Sequence, residues 1–253
     1  MTEPRELRFA GRGRALVCAD PAAAARLCAE RFAAAAREAV EAHGRFCVAL
    51  SGGGTPRRAY TLLAEEPFAS AVPWEKVQFW WGDERCVPPA HPRSNFRMAR
   101  EALLSRVPVP EANVHRVRGE LGATRAAAGY ERELAEAWDG GMPRLDLVHL
   151  GMGGDGHTAS LFPFSPALLE RNGLAAPALH DGEPRVTLTG PVLNASRRLD
   201  FLVTGADKAA RLRGVLQGPL DPLRIPAQLV RAAAGEPVWI VDEAAASRLE
   251  TGG

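Results

Sequence analysis

The stretch from residue 145 to residue 163 reads LDLVHLGMGGDGHTASLFP and sets a glycine-rich loop directly after a short apolar segment. Residues 145–150 predict a buried β-strand, because the segment is short and mostly apolar. The glycines that follow allow a sharp turn and stop any helix. A strand that ends in such a loop is typical of open α/β sheets, which bind ligands beyond the carboxyl ends of their strands.

Two side chains of this loop suit acid–base chemistry. Asp155 and His157 stand two residues apart, and a carboxylate beside an imidazole forms a proton-transfer pair. Functional residues are frequent on loops that a rigid scaffold holds. A structural interpretation stays open, since Asp155 could simply cap the following turn. Gly153, in the same loop, is a candidate for substrate binding.

Composition limits the classes of function. The 253 residues suit one α/β domain over 1–253 and are enough for a sizeable core. The formal net charge is +1, so no global field favours nucleic acid or an anionic membrane as a partner. An apolar run of about 18 residues is absent, which predicts no membrane span. No apolar signal segment follows the first charges, which predicts a cytoplasmic protein.

The cysteines do not indicate a metal site. The sequence has four of them, without CxxC spacing and without a His/Cys cluster of the zinc type. Free thiols in a reducing cytosol are therefore expected. The cysteines are Cys18, Cys28, Cys47 and Cys86.

Apolar segments of strand length alternate with helical segments along most of the chain. This alternation predicts a single Rossmann-like α/β domain with a mostly parallel sheet and helices on both faces. Strands are predicted at 45–50, 76–81, 114–117, 145–150, 185–188, 199–204 and 238–241. Helices are predicted at 21–43, 56–65, 94–105, 123–138 and 206–217, with a further helix at the C-terminal end.

Three predicted strands end in loops of glycine and polar residues, so their carboxyl ends should meet at one edge of the sheet. The first loop, SGGGTP at 51–56, resembles a phosphate cradle, because its N–H groups and the next helix N-terminus can face an anion. It is neither a GxGxxG fingerprint nor a Walker A loop, and a tight turn is the structural alternative. The candidates for phosphate binding here are Ser51, Gly52, Gly53, Gly54 and Thr55.

The second loop carries two carboxylates and a guanidinium, in the run Gly82-Asp83-Glu84-Arg85. Arg85 could bind a phosphate or a developing oxyanion through its planar fork. Asp83 could orient a sugar hydroxyl or hold Arg85. A solvated ion-pair cluster is the alternative interpretation, and it applies most to Glu84.

Three further residues are candidates for the same edge. Lys208, in the first turn after a predicted strand, could reach a phosphate. Arg185 stands at the start of the strand RVTLT, and Asn95 near the start of a helix. The five histidines other than His157 are expected to lie on the surface or in the core.

Together these segments resemble the 6-phosphogluconolactonase family. The matching text is SGGGTP at 51–56, WGDERCVPP with SNFRMAREALL at 81–104, and DLVHLGMGGDGHTASLFP at 146–163. Weaker matches are RVTLTGPVLNAS at 185–196, TGADKA at 204–209 and the segments IPAQLV and VWIVDEAA near the end. The last of the three main motifs is highly specific, whereas related phosphosugar enzymes share the glycine loop.

The resemblance implies hydrolysis of 6-phospho-D-glucono-1,5-lactone to 6-phospho-D-gluconate in the oxidative pentose phosphate pathway, without a cofactor or metal. It implies a fold similar to that of glucosamine-6-phosphate deaminase, and a monomer or a homodimer. The expected catalytic residues are His157 as general base, Asp155, Asp83 and Arg85. The expected substrate-binding residues are Ser51, Gly52, Gly53, Gly54, Thr55, Asn95, Gly153, Arg185 and Lys208.

Two other functions compete with this one. The deaminase carries a Glu five positions after the matching His, which helps to open the sugar ring. Phe162 occupies that position here, which argues against deamination. A phosphosugar-binding regulator that has lost catalysis is the second alternative, and the intact pair of Asp155 and His157 argues against it.

Overall fold

A computed structural model describes residues 3–232 and 235–250 of the protein. Within these ranges the β-strands are β1 (Arg5–Phe9), β2 (Gly13–Cys18), β3 (Phe46–Leu50), β4 (Val77–Trp81), β5 (Asp83–Arg85), β6 (Leu147–Leu150), β7 (Ala175–His180), β8 (Glu183–Leu188), β9 (Leu199–Val203) and β10 (Val238–Asp242). The α-helices are α1 (Pro21–His43), α2 (Gly54–Leu63), α3 (Phe68–Ala71), α4 (Asn95–Ala99), α5 (Ala123–Ala137), α6 (Gly190–Ala195), α7 (Ala209–Gln217) and α8 (Glu243–Ala246).

The central sheet confirms the predicted α/β fold. Its seven strands among the described residues run in the order β1-β2-β10-β9-β6-β3-β4. The pair β1–β2 is antiparallel, and the other pairs of this sheet are parallel. Every residue of β3, β9 and β10 is buried, so both faces of the sheet are covered, as parallel sheets require.

The longest helix follows from local sequence signals. Asp20 accepts a hydrogen bond from the N–H of Ala23 and so caps α1, while Pro21 supplies the first helical residue. The helix ends at Gly44, whose φ of 82° lies in the left-handed region that glycine adopts without strain. The alanine-rich face of α1 then packs closely against the sheet.

A second, smaller sheet was not predicted. The strands β5, β8 and β7 pair antiparallel in that order, so the predicted strand at 185–188 belongs to this sheet. The sequence gives little sign of β7, because Pro177 interrupts it, and proline is tolerated there only since β7 is an edge strand. The short β5 has three residues, too few for a periodic pattern.

Other boundaries differ in smaller ways. The hairpin β1–β2 was not predicted, although the alternation of charged and apolar residues in β1 is the pattern of a half-buried edge strand. The strand expected at 114–117 is wrong, since only Val114 forms a bridge, with Phe79. Helix α2 begins at Gly54, two residues before the predicted start, and α8 is a single turn.

The strands β6, β3 and β4 are neighbours, and their carboxyl ends lie at one edge as expected. Leu50 at the end of β3 aligns with Trp81 at the end of β4, and the N–H of Gly82 donates to the carbonyl of Leu50 at 2.9 Å. The three glycine and polar loops therefore start side by side.

One contiguous cluster of buried apolar side chains runs from Leu7 to Ala246. This single core supports the prediction of one domain over 1–253, which stays a prediction. None of the helices in the described ranges has the length and apolar character needed to cross a membrane.

Replacing Arg31 by Ala is expected to lower the free energy of unfolding by about 3–5 kcal/mol. The guanidinium of Arg31 on α1 donates to both carboxylate oxygens of Asp200 on β9, at 2.7 and 2.8 Å. Asp200 is fully buried, so the variant would leave a buried charge without its partner. Urea unfolding of wild type and variant measures the difference.

The matched control is Arg198→Ala, which removes an exposed ion pair with Glu38. Exposed pairs contribute little, so a loss below about 1 kcal/mol is expected for this control. An equally small loss for Arg31→Ala would contradict the assigned role of the buried pair.

Candidate active site

A polar cavity of about 170 Å³ lies where β3, β4 and β6 end. It brings together nine of the thirteen residues predicted for the site: Ser51, Gly52, Gly53, Asp83, Arg85, Asn95, Gly153, His157 and Arg185. Gly151, Met152 and Ala159 complete the lining. The loops after three strands, the start of α4 and the strand β8 therefore build one site.

His157 and Asp155 form a hydrogen-bonded pair. The imidazole Nδ1 of His157 lies 2.6 Å from Oδ1 of Asp155, which also accepts the backbone N–H of His157 at 3.0 Å. An ionised carboxylate only accepts hydrogen bonds, so Nδ1 carries the proton and Nε2 of the neutral ring remains an acceptor. This tautomer is the one that a general base at Nε2 requires.

Burial keeps this imidazole neutral near pH 7. Burial lowers the pKa of His157, and the negative charge and hydrogen bond of Asp155 offset that effect only in part. Burial favours the neutral acid of Asp155, but hydrogen bonds and charge from His157 outweigh it and lower the pKa of Asp155. The pair is thus an ionised carboxylate beside a neutral imidazole at physiological pH.

Gly153 has a steric role that the sequence did not reveal. A Cβ atom at this position would lie 2.1 Å from Nδ1 of His157. The N–H of Gly153 also donates to the carbonyl of His157 at 2.9 Å, which closes the loop on itself. The absence of a side chain therefore makes room for the imidazole.

Two aromatic side chains that were not predicted to contact His157 lie beside it. The ring of Phe162 lies 4.5 Å from the imidazole of His157, measured between centroids. His180 on β7 stacks on Phe162 at 4.1 Å, and its ring is 5.6 Å from that of His157. His180 was expected on the surface or in the core; only the pairing of β7 with β8 could have placed it here.

Asp83, which the sequence placed in a loop, lies in β5 and connects that strand to the third loop. Its Oδ2 accepts a hydrogen bond from the buried hydroxyl of Ser160 at 2.7 Å. The side-chain amide of Asn95 donates to the backbone carbonyl of Asp83 at 2.9 Å. Arg185 on β8 lies 4.0 Å from the same carboxylate. Ser160 is thus a further candidate site residue. In the sequence, only its position three residues after His157 pointed to this role.

Glu84 organises the start of α4 rather than forming a solvated ion pair. Its carboxylate accepts hydrogen bonds from Ser94 Oγ and from the backbone N–H groups of Arg85, Asn95 and Phe96. Burial raises the pKa of Glu84, although these four donors oppose that shift. The result is a fixed position for Asn95 at the cavity wall.

Asn95 in turn holds the neighbouring loops. Its Oδ1 accepts a hydrogen bond from Nη1 of Arg85 at 2.7 Å. A Cβ atom at Gly52 would lie 1.9 Å from the same oxygen, so glycine is required for this approach. The first and second loops therefore meet at one amide side chain.

Three residues that line this cavity each carry a buried donor without a hydrogen-bond partner among the described residues: Ser51 Oγ, Arg85 Nε and Arg185 Nε. Buried polar groups are normally paired, because an unpaired donor costs free energy. Two of these three belong to permanent cations. The arrangement therefore suits an anionic ligand that is rich in oxygen.

Four predicted residues lie outside the cavity wall. Asp155 reaches the site through His157, as described. Gly54 begins α2 behind the cavity loop, and the hydroxyl of Thr55 contacts that of Thr204 at 2.8 Å. Lys208 lies 3.4 Å from Asp207. The binding roles of Gly54, Thr55 and Lys208 stay predictions.

A larger cleft of about 700 Å³ lies elsewhere, between α1 and α2. Its lining contains no imidazole, and alanine and leucine make up nearly half of it, so it is a weaker candidate for chemistry. A group of three or more His, Cys, Asp or Glu side chains placed to hold a metal does not occur in residues 3–232 and 235–250.

Known proteins resemble this chain in sequence and in structure. Residues 19–239 match the family described as glucosamine-6-phosphate isomerases/6-phosphogluconolactonase. A 6-phosphogluconolactonase from Synechocystis is 42% identical over 216 residues, which cover 84% of this chain and 88% of that protein. A solved 6-phosphogluconolactonase from Trypanosoma cruzi has a TM-score of 0.83 and 30% identity, over 93% of this chain and 96% of that one.

The expected likeness to the deaminase holds for the fold. A solved monomeric glucosamine-6-phosphate deaminase has a TM-score of 0.76 at 17% identity, over 92% of this chain and 99% of that one. The family match spans every residue that lines the cavity. The chain therefore belongs to the glucosamine-6-phosphate isomerase/6-phosphogluconolactonase family.

Proposed function

We propose that this protein is a 6-phosphogluconolactonase, which hydrolyses 6-phospho-D-glucono-1,5-lactone to 6-phospho-D-gluconate in the oxidative pentose phosphate pathway. One observation carries the proposal: a single cavity is lined by His157, which Asp155 holds through a hydrogen bond, and by three residues with unpartnered buried donors. The first feature suits ester hydrolysis, and the second suits a phosphorylated sugar. Relatives that are named 6-phosphogluconolactonase support the same activity.

His157 acts as the general base in this proposal. A lactone is an activated cyclic ester, so water can attack C1 once a base removes its proton. Nε2 of His157 accepts that proton, and Asp155 holds the ring in the required tautomer. When the tetrahedral intermediate collapses, the same imidazolium returns the proton to the ring oxygen that leaves.

The carbonyl oxygen at C1 becomes an oxyanion during the attack and needs hydrogen-bond donors. Arg85 and the N–H groups of the glycine loops line the cavity and can donate these hydrogen bonds. The 6-phosphate needs cations at the other end of the substrate. Arg85 cannot contact both ends of the substrate. Arg185 and the loop at Ser51 bind whichever of the two groups, the oxyanion or the phosphate, Arg85 does not contact.

The deaminase remains the rival enzyme, but one residue separates the two. Where the deaminase has a Glu, Phe162 packs against the imidazole of His157. A carboxylate that could help to open a sugar ring is therefore replaced by an apolar ring. A binding protein without catalysis would have no use for the tautomer that Asp155 fixes.

Compartment and assembly follow from weaker signals. We infer a reducing, cytoplasmic location, which the four free cysteines support. The predicted monomer or homodimer can be tested by sedimentation, and no nucleic-acid or membrane partner is proposed.

The decisive assay is hydrolysis of freshly generated 6-phosphogluconolactone, coupled to 6-phosphogluconate dehydrogenase. An enzyme-free blank is required, because this lactone also hydrolyses unaided. A large acceleration over the blank is expected. A rate equal to the blank would overturn the proposal; ammonia release from glucosamine 6-phosphate would then identify a deaminase, and ligand binding without turnover a regulator.

Replacing His157 by Ala is expected to lower kcat by about 10²–10⁴-fold, because the general base is lost. The coupled assay measures kcat, and circular dichroism establishes that the variant is folded. The matched control is His43→Ala, which removes an imidazole that contacts Asp146 outside the cavity. Near-wild-type kcat in folded His157→Ala would disprove the assigned base.

The pH profile of kcat/KM is expected to rise through an apparent pKa below about 6.5, the ordinary value for histidine. Activity needs neutral His157, and burial lowers the pKa of this residue, so the acidic limb lies at low pH. Asp155→Asn removes a charge that raises this pKa, so the limb should move to still lower pH while kcat falls at least about tenfold. A limb that moves to higher pH would contradict the pairing.

Lys208→Ala is expected to raise KM several-fold with little change in kcat, because the loss of a phosphate contact weakens substrate and transition state alike. Steady-state kinetics measure both constants. Lys76→Ala is the control, since it removes the other lysine of the chain, which precedes β4 at the opposite end of that strand. An unchanged KM would show that Lys208 does not hold the phosphate.

A further inference from the structure

The chain contains two tyrosines, and each contacts the backbone of one residue next to the site. The phenol oxygen of Tyr130 on α5 accepts the N–H of Trp81 at 2.7 Å and donates to the carbonyl of Trp81 at 3.0 Å. The phenol oxygen of Tyr60 on α2 accepts the N–H of Ser51 at 3.0 Å and lies 3.3 Å from the carbonyl of Ser51. Both tyrosines are buried.

These backbone groups lie where no strand can pair with them. Strand β4 is the edge of the central sheet, so the outward N–H and C=O of Trp81 have no neighbouring strand. Ser51 follows the last residue of β3 and has left the ladder. Buried backbone groups need partners, and a hydroxyl can both donate and accept. Each phenol therefore completes a strand end in place of a neighbouring strand.

The two strand ends that the tyrosines hold lead directly into the site. Gly52 and Gly53 follow Ser51 and line the cavity, and Asp83 lies two residues after Trp81. The unpartnered hydroxyl of Ser51 sits on the very residue that Tyr60 contacts. A strand end that frays would move these groups away from the substrate.

We propose that Tyr60 and Tyr130 are positioning residues, which fix the carboxyl ends of β3 and β4 so that the Ser51 loop and Asp83 at the start of β5 meet the substrate correctly. This inference rests on the proposed function for its kinetic consequence. Neither phenol lines the cavity, so both act through the backbone of Ser51 and Trp81.

The hydrogen bonds of Tyr60 to Ser51 and of Tyr130 to Trp81, together called the tyrosine clamp, do not depend on pH near neutrality. Burial raises the pKa of both phenols well above neutrality, so each keeps its proton. The nearest titratable neighbours of Tyr60 are His149, whose Nδ1 lies 3.4 Å from the phenol oxygen, and Cys28 beyond it. Burial lowers the pKa of His149 to about 4 and raises that of Cys28, so both are neutral there too. Glu133 and Glu84 are the charged groups that act on Tyr130.

The kinetic test uses Tyr60→Phe and Tyr130→Phe, which keep the rings and remove only the hydroxyls. Each variant is expected to lower kcat/KM about tenfold, Tyr60→Phe chiefly through KM because its loop holds bound substrate. The pH profile should keep its wild-type midpoint, which separates these variants from Asp155→Asn. Tm should fall by on the order of 2–6 °C.

The matched control is Ser196→Ala. It removes a buried hydroxyl that donates to the carbonyl of Val192 at 3.1 Å. Ser196 precedes the amino end of β9, whereas the site lies at the carboxyl ends of the strands. A similar loss of Tm with unchanged kcat and KM is expected. If the tyrosine variants behave like this control, their hydroxyls support stability alone and the positioning role is overturned.

Hydrogen exchange tests the clamp without relying on activity. The amides of Ser51 and Trp81 should exchange faster in Tyr60→Phe and Tyr130→Phe respectively, each without effect on the other; unchanged exchange would overturn the clamp. If one variant fails to fold, wild type labelled with 3-fluorotyrosine replaces it, since its two tyrosines give two ¹⁹F resonances. Binding of 6-phosphogluconate should shift both resonances. If the ligand binds and neither resonance shifts, the inference is overturned. Wild type inactive on the lactone would defeat the proposed function, whereas the exchange result would still decide the clamp.

Discussion

The site depends on one constraint, which is that β6, β3 and β4 end side by side at the same edge of the central sheet. The parallel register places Leu50 beside Trp81, and the Gly82 N–H bonded to Leu50 carries that alignment one residue past the ladder. Three loops consequently begin side by side, although their residues lie up to about a hundred positions apart in the chain. A slip of one residue in β3 or β4 would turn every side chain of that strand to the other face of the sheet and shift the start of the loop that follows it.

Loops that start side by side still need close approach to act together. Gly52 and Gly153 allow it, because a Cβ atom at either position would collide with Asn95 or His157. Buried carboxylates complete the assembly: Glu84 accepts three hydrogen bonds from the start of α4, and Asp83 accepts one from the Ser160 hydroxyl. These bonds join β5 to α4 and to the third loop, so the parts of the site share their polar groups.

The sequence predicted the elements that local chemistry determines. Asp20 and Gly44 bound α1, and glycine runs mark the ends of β3 and β6, so the sheet and most of the cavity wall could be predicted. Pairings between distant segments had no local signal. His180 lies near His157 only because β7 pairs with β8. The strand β7 was not predicted, because Pro177 interrupts its sequence pattern. Glu84 looked like a surface charge, since three of its four donors, the Ser94 hydroxyl and the backbone N–H groups of Asn95 and Phe96, are brought to it only by the folded start of α4.

The balance of charge at His157 links these packing details to chemistry. Burial by Phe162 and its surroundings lowers the pKa of the imidazole, while Asp155 raises it, and both effects depend on the same short loop. Phe162 packs against this imidazole, and a carboxylate in its place would instead raise the pKa of His157. In the proposed mechanism the neutral imidazole accepts a proton from water, and an apolar neighbour favours that neutral form. The proposed preference for lactone hydrolysis over deamination therefore depends in part on the residue at position 162.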